Sequence, residues 1–389
     1  MLLADVSIFW LSVAVAVYTY VGYPVFIAIL ARIRGRRSRE TTAAFLPFVT
    51  LIIPAHNEER WIRHKIENTL ELDYPRDLLQ IVIASDGSSD RTVDIAREFE
   101  SRNVAVAVFE ERHGKQEMLN LLVPKSLGDI VVMTDTNVLL RPDSVRLLVR
   151  SFADREVGCV TGRRLCIEQK GVPQGAGENL YWRYESWIKR NESCLHSCLG
   201  AHGQLFAVRR SVFPPVKKVG EDFYIPMKLV ASTGLRVIYE PEAIAYTPAA
   251  ANLAIEFERK TRAHVSFLLT LPLLPELMFP FKTPVWWQYV SHHVLRMIVP
   301  PALIAMFVSS ATLAPSGRVY FALFVAQVIF YALAAIGFAL ARRDIRVKLF
   351  YFPFYFTFAN AALALALLRW PRRKYDYAWK RTERIPISN

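Results

Sequence analysis

The stretch Ile130-Val131-Val132-Met133-Thr134-Asp135-Thr136-Asn137 decides how this chain folds. Four apolar residues in an unbroken run read as a strand buried on both faces, as in a parallel sheet. Packing gives such a strand no reason to end in Asp135 and Asn137. Polar groups at the end of a parallel strand sit where open α/β sheets bind ligands. Residues at i and i+2 point the same way. Together they offer hard oxygen ligands to a divalent cation holding phosphates. The competing reading is a polar strand end that opens a turn, with Pro142 starting the next helix, and this run alone leaves both open.

Working outward, the same pattern repeats upstream. Phe48–Pro54 reads as a buried strand, followed by a helix from Glu58 to Leu72. Leu78–Ser85 is a second strand, followed by Asp86-Gly87-Ser88-Ser89-Asp90 and a helix over about 90–101. Val104–Phe109 is a third, and a short helix spans Lys115–Pro124. Alternating strands and helices predict a parallel sheet with crossover helices. Every polar cluster falls just after a strand: His56, Asn57 and Glu58; Asp86 and Gly87; Arg112, His113, Gly114 and Lys115; then Asp135. In a doubly wound sheet those ends share one edge, so the clusters converge on one crevice. Any single cluster could be a helix cap, with Asn57, Ser88 or Asp90 as the cap residue. Four together point to a binding site.

The flanks are of another composition. The chain has 389 residues, 53% hydrophobic, with a net charge of +13, and its mean hydropathy is +0.21. Residues 7–30 carry no charge, a run long enough to cross a bilayer as a helix and too long for a signal-peptide core. Arg32, Arg34, Arg36, Arg37 and Arg39 follow, which places the next segment on the cytoplasmic side. Further apolar stretches lie at about 297–313, 319–340 and 349–369, the first preceded by an interfacial belt of Trp286, Trp287 and Tyr289. Between 41 and 250 nothing could span.

The expected division is therefore a transmembrane helix and basic segment over 1–40, a soluble α/β domain over 41–250, an interfacial amphipathic segment over 251–285, and C-terminal transmembrane helices with a basic tail over 286–389. Four crossings would leave the tail Arg372-Arg373-Lys374 outside, against the charge rule. Either 349–369, interrupted by Pro353, enters and returns, or 265–281 inserts more deeply. The basic excess borders the apolar segments, where it attracts anionic headgroups. No nucleic-acid motif accompanies it, so membrane surface and anionic substrate are its expected causes, and nucleic acid is not an expected partner. Four cysteines on the cytoplasmic side are expected to be reduced thiols. Cys194, His196, Cys198 and His202 have zinc-type side chains at close range, but no CxxC pair is present, and the cysteines are expected to pack.

With these residues assembled, the chain resembles the family-2 glycosyltransferases, which have the GT-A nucleotide-sugar fold, and its flanking helices resemble the membrane-bound synthase branch. The resemblance covers roughly residues 48–265. It is carried by VTLIIPAHNEE (49–59), IVIASDGSSDRT (81–92), RHGKQEMLN (112–120), MTDTN (133–137), GAHGQLFAVRR (200–210) and GEDF (220–223). Each piece is weak alone; in this order and spacing they are specific.

The resemblance implies the following roles. Pro54, His56, Glu58, Asp86 and Gly87 lie in the loops that contact the nucleoside. Lys115 matches a basic residue near the donor, where a point charge suits phosphate. Asp135 and Asn137 match the D-x-D element that holds Mg2+ or Mn2+ beneath the diphosphate, with Asn137 standing where the family has a second carboxylate. Asp222, closing Glu221-Asp222, matches the base that takes the acceptor's proton; the competing role for both acids is capping the helix that follows. His202 and Gly203 match a loop bordering the acceptor pocket. Arg259 and Arg262 fall where processive synthases carry Q-x-x-R-W, of which only Arg262 is kept; the missing tryptophan argues against long-chain polymer synthesis. Both arginines could instead anchor to anionic headgroups.

The implied activity is an inverting, metal-dependent transfer from a nucleotide sugar, UDP-linked by expectation. The acceptor would be a glycan or lipid-linked molecule at a bacterial inner membrane, with the catalytic domain cytoplasmic and the chain multi-pass. The alternatives are a non-processive glycolipid glycosyltransferase and a catalytically silent, nucleotide-binding subunit of a polysaccharide-export complex.

Overall fold

The protein is described by a computed structural model over residues 2–35, 45–167, 174–248, 250, 252–343, 345 and 347–372. Arg36, Arg37 and Arg39 and the tail from Arg373 lie outside the described residues. The chain opens with α1 (Leu2–Val17), which continues through a π turn into α2 (Tyr23–Arg34). The α/β domain then alternates β1 (Val49–Ala55), α3 (Ile62–Leu70), β2 (Leu79–Asp86), α4 (Thr92–Arg97), β3 (Val104–Phe109), α5 (Lys115–Leu122) and β4 (Ile130–Met133). It closes with β5 (Leu139–Leu140), α6 (Ser144–Arg150), β6 (Val157–Ile167), α7 (Gln174–Leu195), β7 (Phe206–Arg209), α8 (Glu221–Thr233) and β8 (Arg236–Pro248).

These strands form one sheet in the order β3-β2-β1-β4-β7-β6-β8-β5. The first four are parallel, as the alternating sequence predicts. The sheet as a whole is mixed, because β7 runs antiparallel to β4 and β6 antiparallel to β7. The strands of this second half are less legible: β7 is short, and β6 and β8 carry Arg163, Arg164, Arg236, Glu240 and Glu242 within their spans. Order reverses at β1, which has β2 on one side and β4 on the other, and such a switch point opens a crevice at the strand ends.

Both faces of β1, β2 and β4 are covered, which is why they read as continuous apolar runs, whereas β3, at the sheet edge, is partly exposed. Leu51, Ile53, Ile81 and Ile83 pack with Ile62 and Ile66 of α3 and Ile95 of α4. Their neighbours Ile52, Val82, Val131 and Met133 pack on the other face with Met118 and Leu119 of α5 and Ile225 of α8. Each such side chain contributes about 1.5–3 kcal/mol by leaving water.

After the sheet come α9 (Leu253–Thr270), the short α10 (Trp286–Tyr289), α11 (Leu295–Leu313), α12 (Arg318–Ala341) and α13 (Lys348–Arg369). Among the described residues, four segments are long and apolar enough to cross a membrane: Leu3–Arg34, Trp286–Ser316, Arg318–Ala341 and Leu349–Arg369. Of these, α13 is docked against α9. Leu363 and Ala366 join the core that holds Val265 and Phe267 of α9. Arg369 at its end bonds Glu258 of α9 at 2.9 Å.

Candidate active site

The loops after β1, β2 and β3 are sewn together by side chains bonding to backbone. Asn57 sits in the left-handed region (φ 54°), and its Oδ1 accepts from Ser89 N at 2.8 Å. His56 Nδ1 donates to the Asp86 carbonyl at 2.6 Å. The Asp86 carboxylate is buried and accepts from both His113 N (2.7 Å) and Gly114 N (2.9 Å). Gly87 takes φ 62°, and a Cβ there would lie 3.1 Å from Arg112 N. Only glycine lets these two loops close so tightly. At the switch point Thr136 Oγ1 donates to the Pro54 carbonyl at 2.7 Å, tying the loop after β4 to β1. The Glu58 amide donates to Thr92 Oγ1 at 2.7 Å, so that loop is closed from below.

A charged cluster stands above this base. Gly114, in the left-handed region, starts α5, and Lys115 is its first residue. Lys115 Nζ lies 2.8 Å from Asp135 Oδ1 and 2.6 Å from Glu221 Oε1. One ammonium thus joins the end of β4 to the first turn of α8, which arrives from 86 residues further along the chain. Gln116 supports the bridge by donating to Glu221 Oε2 at 3.3 Å and to the Val219 carbonyl at 3.1 Å. Asp222 is next on α8, and its carbonyl accepts from Ala201 N at 2.6 Å. A Cβ on Gly203 would lie 3.3 Å from Asp222 Oδ2, so the 200–205 loop passes directly over that carboxylate. On the other side, Gly220 N donates to Ser266 Oγ of α9 at 2.8 Å. Arg262 lies one turn before Ser266, on the same face of α9.

The electrostatics follow from this crowding. Burial disfavours the Lys115 ammonium, but Asp135 and Glu221 outweigh it, so Lys115 titrates above the ordinary lysine range. Burial pushes the Asp222 carboxyl up to about 7; Glu221 and Asp135 add to the rise, while Lys115 and Lys189 oppose it. A carboxyl poised near neutrality is suited to take and release protons at physiological pH. Asp135 and Asn137 supply one carboxylate and one amide oxygen. Among the described residues no group of three or more His, Cys, Asp or Glu side chains is placed to hold a metal ion. The pair by itself fits a hard cation that completes its shell with phosphate oxygens and water.

The other residues singled out from the sequence lie elsewhere. The His202 ring packs against Trp182 (5.0 Å between centroids) and Tyr239 (6.1 Å), and its backbone N donates to Thr161 Oγ1. Burial, with Lys189 and Arg164 nearby, holds it well below the usual imidazole range, so it is neutral at pH 7. Arg259 turns back to Glu256, 2.6 Å away. His196 Nδ1 faces Ser197 Oγ at 2.8 Å, and Cys159, Cys166, Cys194 and Cys198 are free thiols.

Two lysines were not singled out. Lys65 of α3 is 0% exposed, and its Nζ donates to Thr134 Oγ1 (3.2 Å) and the Val138 carbonyl (2.6 Å), gripping both ends of the Asp135–Asn137 turn. Burial draws it down to about 7, against an opposing pull from Asp135. A lysine on the Ile62, Ile66 and Thr69 face of an amphipathic helix was the available signal. Lys189 of α7 is the other, buried behind the 199–203 loop.

Residues 50–215 match the family model for Glycosyl transferase family 2. The probable glycosyltransferase YdaM of Bacillus subtilis (strain 168) is 27% identical over 229 residues, covering 56% of this chain and 54% of that protein. A beta-monoglucosyldiacylglycerol synthase of Trichormus variabilis is 26% identical over 181 residues, covering 46% of this chain and 39% of that one. A poly-beta-1,6-N-acetyl-D-glucosamine synthase of Staphylococcus aureus (strain COL) is 26% identical over 206 residues, covering 51% and 49%. The matches thus span about half or less of these relatives' own lengths. In fold, the chain is similar to the mannosyltransferase PcManGT from Pyrobaculum calidifontis, solved in complex with GDP-Man and Mn2+. The TM-score is 0.67 at 24% identity, over 95% of this chain and 100% of that one. The expected GT-A fold is thus the fold found, and the chain carries a glycosyl transferase family 2 domain between its apolar helices.

Proposed function

We propose that this protein is an inverting, membrane-bound glycosyltransferase. It moves a sugar from a nucleotide sugar, with a UDP-sugar as first choice, to a glycan or lipid-linked acceptor in cell-surface glycan synthesis. The observation that carries this reading is the Lys115 bridge, which gathers Asp135, Glu221 and Asp222 at the switch point of the sheet. The 54–58, 86–87 and 113–115 loops form the nucleotide side. Asp222, ionised, accepts the proton of an acceptor hydroxyl as that oxygen bonds to the anomeric carbon. The bond to the nucleotide diphosphate breaks on the opposite face, and Lys115 faces the charge that leaves. Asp135 and Asn137 would hold Mg2+ or Mn2+, which supplies Lewis-acid stabilisation of the diphosphate. Gly203 brings the 200–205 loop against Asp222 on the acceptor side, and Arg262 lies on the face of α9 turned toward α8.

The division into 1–40, 41–250, 251–285 and 286–389 serves as the working domain scheme, with the α/β domain cytoplasmic beneath a bacterial inner membrane. Arg32 and Arg34 at the end of α2 support that side, as do Arg342 and Arg343 after α12. The contact of Arg369 with Glu258 supports three crossings, with α13 docked against α9 and the basic tail on the cytoplasmic side. A reporter fused at the C-terminus reads this directly: an external location would return the count to four.

A second acceptor class is favoured by Ala263, which follows Arg262 where a processive synthase has tryptophan. Without that aromatic platform, addition of single sugars to a lipid is the simpler product. Membranes containing the protein, given radiolabelled nucleotide sugars with and without EDTA, test all of this. The expected result is transfer that EDTA abolishes, giving a short lipid-extractable product. A long polymer would select the synthase reading. Neither transfer nor hydrolysis of any nucleotide sugar would select a silent nucleotide-binding subunit.

A further inference from the structure

The loop over Asp222 is held from behind by α7. Lys189, 7% exposed, donates to the carbonyls of Leu199 (2.7 Å) and Gly200 (2.8 Å). Glu192, fully buried, accepts from Leu199 N at 3.2 Å. Gly200 then turns with φ 73°, and Ala201 N reaches the Asp222 carbonyl. Consecutive peptide groups therefore connect α7 to Asp222 without a slack residue between.

Glu192, and Glu185 two turns before it, are gripped from the other side by the apolar helices. Glu192 Oε1 accepts from the Tyr23 hydroxyl of α2 at 2.6 Å and faces His292 Nδ1 at 2.7 Å. Glu185 Oε1 accepts from Arg296 Nη1 at 2.7 Å, and Tyr184 donates to the Tyr20 carbonyl at 2.8 Å. Residues 185, 189 and 192 are spaced i, i+4 and i+7, so they share one face of α7. Stability alone does not ask for such a strip, since apolar replacements of buried ion pairs are often neutral or stabilising. What the ions supply is direction: Lys189 fixes two carbonyls, Glu192 a hydroxyl and a backbone N–H, and Glu185 the Arg296 guanidinium, each in a particular place.

Resting on the reading of Asp222 as the base, we infer that Lys189 and Glu192 are positioning residues for the acceptor side of the reaction. They lock the 199–203 loop against Asp222, and Tyr23 and His292 of the apolar helices set that lock. Neither residue touches the donor loops. Turnover should therefore depend on how the apolar helices pack, while nucleotide binding should not.

Steady-state kinetics and UDP binding of the full-length protein in lipid nanodiscs test this. Lys189→Met should lower kcat by about 10²-fold, the scale of a roughly 1 Å misplacement, with the donor KM and the Kd for UDP within twofold of wild type. Lys189→Arg, which keeps donors for both carbonyls, should recover most of the loss. Tyr23→Phe, a milder change remote from the cluster, should lower kcat several-fold with the same split, and its effect should not add to that of Glu192→Gln. Wild-type kcat in Lys189→Met, or a loss of UDP binding that matches the loss of kcat, overturns the inference. Additive effects of Tyr23→Phe and Glu192→Gln remove the link to the apolar helices. Asp222→Asn, run alongside, separates the two readings. Retained transfer there defeats the base assignment, whereas an inactive Asp222→Asn beside a fully active Lys189→Met defeats only the positioning role.

Discussion

The nucleotide side and the acceptor side of this site are built from different bonds. On the first, Asn57, Asp86 and Thr136 hold neighbouring loops through short bonds to backbone groups, all between adjacent parallel strands. On the second, Lys189, Glu192 and Glu221, with Lys115 shared between the two sides, hold loops through buried charges: Lys189 grips the nearby Leu199 and Gly200 carbonyls, while Glu192 reaches His292 and Lys115 reaches Glu221 from distant parts of the chain. A neutral bond to a backbone group, as made by Asn57 and Thr136, contributes about 0.5–1.5 kcal/mol and one to a carboxylate, as at Asp86, about 1.5–3 kcal/mol, and each joins only two neighbouring loops. A buried ion that loses its partner costs about 3–5 kcal/mol and disturbs everything it joined. The nucleotide side is therefore expected to tolerate single changes better, and the acceptor side to respond as a unit.

The largest expected effect lies at the point where the two sides meet. Asp222→Asn should lower transfer by roughly 10²–10⁴-fold, the usual contribution of a general base. UDP binding, measured by calorimetry, should stay within twofold. A comparable loss in binding would mean that the two sides are not separable.

Next is Lys115→Met, which leaves Asp135 and Glu221 facing each other without a counter-charge. Thermal unfolding should report a loss of about 3–5 kcal/mol, together with weaker UDP binding, because this residue belongs to both sides. Unchanged stability would show that the bridge opens freely.

The pH dependence sharpens the contrast. Asp222 must be ionised to accept a proton, and its pKa is raised to about 7. Transfer should therefore fall as pH drops below about 7, approaching tenfold per unit. Glu221 raises Asp222, so Glu221→Gln should move this acid limb to lower pH. A limb near pH 4 in the wild type would mean that water reaches Asp222 more freely than its surroundings suggest.

The smallest effect is expected at His202, whose neutral ring fills an aromatic gap. His202→Phe keeps that shape, and such swaps usually cost less than about 1.5 kcal/mol. Near-wild-type transfer is expected; a large loss of kcat with stability intact would restore a direct role for the imidazole on the acceptor side.

Legibility in the sequence divides along the same line. Asp86, Lys115 and Asp135 stand out because each interrupts an apolar strand or opens a helix within a few residues of it, and local periodicity exposes such breaks. The second half of the sheet, β5 to β8, escaped because its strands mix charged and apolar residues or are too short for a clear period. Lys65 and Lys189 also escaped, since a lysine within a helix usually means an exposed face. The burial of each is fixed by what packs over it. For Lys65 that is the Thr134–Val138 turn, and for Lys189 the Leu199–Gly200 carbonyls.

By itself the sequence determined the alternation of the first four strands, the edge on which polar residues gather, and the apolar segments at both ends. All three are local patterns of hydrophobicity, readable wherever neighbours in the chain are neighbours in space. Only the tertiary structure decided that one ammonium joins Asp135 to Glu221, that Asp222 sits near its neutral point, and that α7 ties the loop above it to the apolar helices. Those facts depend on distance and burial between groups tens to hundreds of residues apart, and the linear pattern carries no measure of either.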